Sequence, residues 1–292
     1  MSEYIDIEIL KKKINSSSGY QITQEMNSLN DSVRVLNANY VEIKNHLQNF
    51  QKDYKKINGN SLHPNLETKR LIHNYLASSI SLVDHTRIHI KLIHKEKEFS
   101  DYQPMIEKTF IKNPLCVFIK DFRQYLQHYR LPEISFQAYA FNIKLKWSII
   151  ISTSELEKFS GWKKESKVFI KNKNPRLDLL DVAENYQNVV NDFYNWLTKT
   201  QKEIFSEEIK KFEQLKIEMK NLKISYLTSN LILNIYKSFY AFEKELYLIL
   251  SKEEKANIKN LIQVDEINKI IEILNLDNVI KNVVRHKLEQ LE

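Results

Sequence analysis

Three glycines and five prolines are all that 292 residues offer for breaking regular structure. A β-rich chain of this length turns about every ten residues and needs many more such breakers. The scarcity therefore predicts a mainly α fold of long helices, with enough apolar residues for a substantial core. The breakers that are present mark its punctuation. Asn58-Gly59 and Pro64 separate two long helical patterns, Asn113-Pro114 and Pro132 enclose a third, and Asn174-Pro175 precedes a fourth.

In chain order, Tyr4, Ile5, Ile7, Ile9 and Leu10 alternate loosely before the loop-like Asn15-Ser16-Ser17-Ser18-Gly19, which reads as a short strand or arm followed by a loop. Met26, Leu29, Val33, Leu36, Tyr40, Ile43 and Leu47 place an amphipathic helix over 21–57. Pro64 opens a second, with Leu71, Tyr75, Leu76, Ile80 and Val83 at helical spacing to about residue 94. At Ile143, Leu145, Trp147, Ile149 and Ile151 the period changes to two, and with 134–141 as partner this predicts a β-hairpin inserted at about 133–153. Thr153-Ser154 caps a short helix to about 159, ended by Gly161-Trp162. A long helix starts near 177 and runs with interruptions toward 222, followed by helices at about 225–251, 255–262 and 264–291. The charged run 207–218 lowers the apolar fraction and sets a boundary between a helical domain, 1–212, and a C-terminal helical extension, 213–292.

The formal charge is +7 and the pI about 9.1, with both signs interspersed. This suits a polyanionic partner without requiring one. Cys116, the only cysteine, permits no internal disulfide and no cysteine-based zinc site, and its apolar neighbours Leu115 and Val117 predict a buried thiol. His85 and His89 stand at the i, i+4 spacing of metal ligands, but no third ligand follows in a zinc-motif position, so no metal or other cofactor is expected. The first residues lack a signal-peptide core and no apolar run is long enough to span a bilayer, so the expectation is a soluble, cytoplasmic protein.

The stretch with the clearest chemistry lies between Asn113 and Pro132. Val117, Phe118, Phe122, Tyr125, Leu126 and Tyr129 form one apolar stripe, while Arg123, Gln124, Gln127 and His128 cluster within two turns. Arg123 and His128 are about 140° apart around a helix, whereas Gln124 and His128 share a face. Cleaving an RNA phosphodiester through its own 2′-hydroxyl needs a base, an acid and a cation on the non-bridging oxygens. Histidine suits the first two roles because it titrates near neutrality, and arginine suits the third because its fork grips phosphate. One helix carries one such histidine, so a two-histidine site requires a symmetric pair of chains.

These residues, Phe118-Ile-Lys-Asp-Phe-Arg123-Gln-Tyr-Leu-Gln-His128-Tyr-Arg-Leu-Pro132, resemble the Arg-x4-His signature of the HEPN superfamily. The segment from His73-Asn74-Tyr75 to Asp84-His85-Thr86-Arg87 resembles the helix that precedes it there. The resemblance implies a helical bundle over about 21–200 and a metal-independent endoribonuclease of bacterial defence or toxin–antitoxin type. Arg123 would bind phosphate, His128 would act as acid–base, and Gln124, Gln127, Tyr125 and Arg130 would support the site or bind RNA. It further implies a homodimer and a cognate antitoxin or sensor protein. Active members carry Asn, Asp or His where this chain has Gln124, and the tyrosine modified in one subgroup is here Arg130. Arg87 and His94 form a second Arg–His match. The same features also fit a catalytically silent HEPN-like module that binds RNA or protein. They fit as well a plain scaffold, with Arg123 paired to Asp121 or Glu133 and His128 capping its helix.

Overall fold

The computed structural model describes residues 2–53, 64–141, 144–234, 247, 248, 250–258, 269 and 272. The break at Asn58-Gly59 lies outside them, as does the helix expected over 264–291 apart from residues 269 and 272. The chain divides into two compact units, 22–205 and 1–21 with 206–292. As the scarcity of turn residues requires, it is mainly helical, with one small antiparallel sheet.

In the unit 22–205 the elements are α2 (Ser18–Asp53, which enters from the other unit), α3 (Pro64–Ile93), α4 (Tyr102–Ile106) with a π-helical turn (Glu107–Ile111), α5 (Pro114–His128), β1 (Ser135–Phe141), β2 (Lys144–Ser152), α6 (Thr153–Leu156), α7 (Lys164–Asn172), β3 (Arg176–Asp178) and α8 (Leu179–Ile204). They share one core, to which α2 gives Leu29, Leu36 and Ile43, α3 gives Leu71, Tyr75 and Leu82, and α8 gives Tyr186, Val190 and Leu197. Helix α5 runs through this core. Phe118, Ile119, Phe122 and Tyr125 are each 2% exposed or less. Its start follows the sequence signal: Asn113 accepts a hydrogen bond from Leu115 N at 3.1 Å, with Pro114 at the first helical position, where a missing N–H costs nothing.

Aromatic rings hold α5 to its surroundings. Phe118 stacks on Phe122 (5.2 Å), Phe169 of α7 (4.8 Å) and Trp162 (5.5 Å), and Tyr125 stacks on Trp162 at 5.5 Å. Each such ring removes on the order of 2 kcal/mol of apolar surface from water. Trp162 donates its indole N–H to the Leu156 carbonyl at 2.7 Å, so the packed indole leaves no orphan donor.

Helix α7 falls where the sequence reading assigned nothing. Its cap explains this: Asp121 Oδ2 on α5 accepts hydrogen bonds from Lys163 N (2.9 Å) and Ser166 Oγ (2.7 Å). A cap supplied from 42 residues away leaves no local signature. The hairpin forms as expected, with Ser135↔Ile150 through Phe141↔Lys144 in antiparallel register, but a third strand, β3, adds to β2. Central β2 is buried continuously over 148–151 rather than on alternate residues. Strand β3 also corrects the expected helix start near 177. Asp178 accepts from Leu180 N (2.9 Å) and Asp181 N (3.3 Å), so α8 begins at Leu179.

The other unit contains α1 (Ser2–Ser16), the start of α2, α9 (Ser206–Asn234) and α10 (Lys252–Ile258). The strand or arm expected over 1–20 is instead two helices. Ser17 joins them, donating to Ile14 O (2.7 Å) and accepting from Tyr20 N (3.2 Å), so the serine run is a cap rather than a loop. A Cβ on Gly19 would collide with the Glu208 carbonyl oxygen and the Phe212 side chain, which explains the glycine there. The break expected near 222 is absent, because α9 continues to Asn234. Ser251 and Glu254 form a reciprocal capping box at the start of α10 (2.8 and 3.2 Å), and Lys220 bonds Glu254 at 2.8 Å and holds its carboxyl below the usual range.

Candidate active site

Burial divides α5 along its length. The face carrying Phe118, Phe122, Tyr125 and Leu126 is in the core, while Lys120, Gln124, Gln127 and His128 line the solvent side. Arg123 lies at the border, half-buried, and its Nε is buried with no hydrogen-bond partner. Its guanidinium makes no ion pair among the described residues. The scaffold alternative would pair Arg123 with a carboxylate such as Asp121 or Glu133, and neither pair forms among the described residues. Asp121 turns its Oδ2 to α7 instead, accepting from Lys163 N and Ser166 Oγ.

His128 closes the helix in sequence but not by its side chain. The last carbonyl bonds come from the backbone, with Tyr129 N and Arg130 N both donating to Tyr125 O (3.0 and 3.2 Å). The imidazole is exposed and makes no hydrogen bond among the described residues. It is open to solvent.

Of the supporting residues, Gln124 and Gln127 share the exposed stripe with His128. Tyr125 does not. Its ring is fully buried against Trp162 and Phe159, so it cannot stack on a base, and burial pushes its hydroxyl up to about 12, where it stays protonated. Of the two roles expected of Tyr125, supporting the site or binding RNA, its burial leaves the first: it packs the helix. Arg130 is exposed and donates from Nη2 to the Tyr129 hydroxyl at 3.0 Å, with its guanidinium carbon 4.8 Å from the Tyr129 ring centre.

Tyr129 itself was assigned to the apolar stripe, yet it is 41% exposed. The signal was its position between His128 and Pro132, beyond the last turn that the core covers. Beneath α5 a cavity of about 20 Å³ is lined by Ile43, Ile72, Leu76, Ile119, Phe122 and Val182. It is apolar and far too small for an organic ligand.

The second Arg–His match sits in a different environment. Arg87 bonds Asp84 at 3.0 Å, and His94 is held by Lys97 O (3.2 Å) and the Phe99 and Phe205 rings (4.8 and 5.0 Å). The metal-spaced pair separates as well. His85 bonds Ser32 Oγ at 2.8 Å, whereas His89 is buried with the Gln201 amide 2.9–3.1 Å from its Nε2. Among the described residues no three His, Cys, Asp or Glu side chains group as a metal would require, and no helix is long and apolar enough to cross a membrane. No family model, curated protein or solved structure matches the chain.

Proposed function

We propose that the chain is a metal-independent endoribonuclease of the HEPN type, working through Arg123 and His128. The observation that carries this reading is the state of those two side chains. Among the described residues, one ends in an exposed imidazole with no hydrogen bond and the other in a guanidinium without a carboxylate partner.

In the reaction, a histidine takes the proton of the 2′-hydroxyl, whose oxygen attacks the adjacent phosphorus. The 5′-oxygen leaves with a proton from the acid, giving a 2′,3′-cyclic phosphate and a 5′-hydroxyl. Arg123 holds the non-bridging oxygens as charge builds on them. The second histidine comes from another copy, with two α5 helices meeting on the solvent stripe of Gln124, Gln127 and His128 as a homodimer. An enzyme that cuts cellular RNA needs restraint, so a toxin or antiviral effector with a cognate antitoxin or sensor is the fitting context, and 213–292 is the proposed region of that contact.

The test is incubation of wild type and His128→Ala with total bacterial RNA in excess EDTA, followed by end-group analysis. Cleavage by wild type alone with 2′,3′-cyclic phosphate ends supports the reading. RNA binding without cleavage by wild type replaces it with the silent module, and equal cleavage by both removes His128 from the chemistry.

A further inference from the structure

Immediately after His128 the chain builds a small stack. Both Tyr129 N and Arg130 N are tied to Tyr125 O, which fixes the backbone beyond the helix end. The Tyr129 ring rests against Tyr125 (5.2 Å) and Phe159 (5.1 Å), and Phe159 finds room because Gly161 has no Cβ. Arg130 lies over the Tyr129 ring and is pinned by the bond from Nη2 to the tyrosine hydroxyl. Arg130 is itself exposed, two residues from the imidazole, so a ligand can reach it.

We propose that this Tyr129–Arg130 stack is the platform on which one unpaired base of the substrate lies, so that the site takes single-stranded RNA. The inference rests on the ribonuclease reading above. Two physical arguments favour a base over a phosphate at Arg130. Arg130 Nη2 is committed to the Tyr129 hydroxyl, which leaves a less complete N–H fork for a bidentate grip on phosphate, whereas stacking on the face of a base needs no free N–H. Bases stack well on guanidinium planes, and the bases of a duplex have both faces covered by their neighbours.

The experiment uses a short fluorescent single-stranded RNA and its duplex form, with affinities read by anisotropy in EDTA. The protein carries His128→Ala to prevent cutting, alone or with Arg130→Ala or Arg130→Lys. The platform predicts tighter binding of the single strand than of the duplex. It also predicts that both Arg130 variants weaken the single strand by similar factors, roughly five- to a hundredfold, with little change for the duplex. Lysine keeps the charge and loses the plane, so single-strand affinity retained in Arg130→Lys would overturn the proposal, as would no effect of Arg130→Ala. If wild type cuts in a His128-dependent manner and Arg130→Lys cuts single strands equally fast, the platform alone fails. If no variant binds RNA and wild type cuts none, the ribonuclease reading fails and the platform with it.

Discussion

Two arginine–histidine pairs satisfy the same loose spacing, and the fold treats them oppositely. Arg87 is tied to Asp84, and His94 is enclosed by Phe99, Phe205, the Lys97 carbonyl and Gln201, with burial pushing its pKa down. Arg123 and His128 have no such partners among the described residues. A histidine bonded and packed on several sides holds helices together. One left open at a helix end contributes little to stability, and under the proposed function it is the one available for chemistry. Spacing alone does not separate the pairs, but the partners around them do.

The arginines offer the largest contrast. Arg123→Ala should lower cleavage by on the order of a hundredfold or more, the scale seen when one donor to a developing anion is removed. Arg87→Ala breaks only an exposed ion pair and should shift stability by less than about 0.5 kcal/mol, with cleavage unchanged. Rates paired with thermal melts check both. The two sides of α5 differ next. Tyr125→Ala removes a fully buried ring between the two site residues and should cost about 3–5 kcal/mol in denaturant unfolding. Gln124→Ala, on the exposed side, should leave stability within about 0.5 kcal/mol.

A smaller effect is expected at Asp121. Replacing it by alanine strips Lys163 N and Ser166 Oγ of their acceptor and should cost about 1–3 kcal/mol, with α7 losing amide-exchange protection first.

How far the sequence could be read follows from where each element finds its partners. Helix α5 was legible because Asn113-Pro114 and Pro132 are local signals that the tertiary structure leaves in place. Helix α7 and strand β3 were not, since one is capped by Asp121 from another helix and the other exists only as an addition to β2. The Ser16-Ser17-Ser18-Gly19 run misled for the opposite reason: its loop-like composition serves a helix junction and a close approach to Glu208 and Phe212. At the candidate site, the Arg–His spacing was visible but the choice between pairs was not. The residue that engages His94 from α8, Gln201, is 107 positions away. Tyr129 looked like core because its periodicity continues past the point where the core ends.

Acidity should produce the smallest effect and falls on the enclosed histidines. Burial lowers the pKa of His89 more than Gln201 and Glu25 raise it, and burial likewise lowers that of His94. The unfolded chain therefore binds more protons below the ordinary histidine value of about 6.5. Stability is complete above that value and falls as the pH drops toward the folded-state pKa. Melting temperatures from pH 8 to 5.5 should decline, and less steeply in His89→Gln. An equal decline in both would assign the loss to other groups.

The most direct measurement sets the two histidines side by side. His94→Ala and His128→Ala are compared with wild type for cleavage of RNA in EDTA, at a temperature where all three are folded, and for thermal melting. The account predicts that His94→Ala melts lower but cuts within about twofold of wild type. His128→Ala should melt like wild type and lose at least roughly a hundredfold in rate, the lower end expected for a general acid–base group. Cleavage that survives His128→Ala, or that vanishes in a folded His94→Ala, would contradict it.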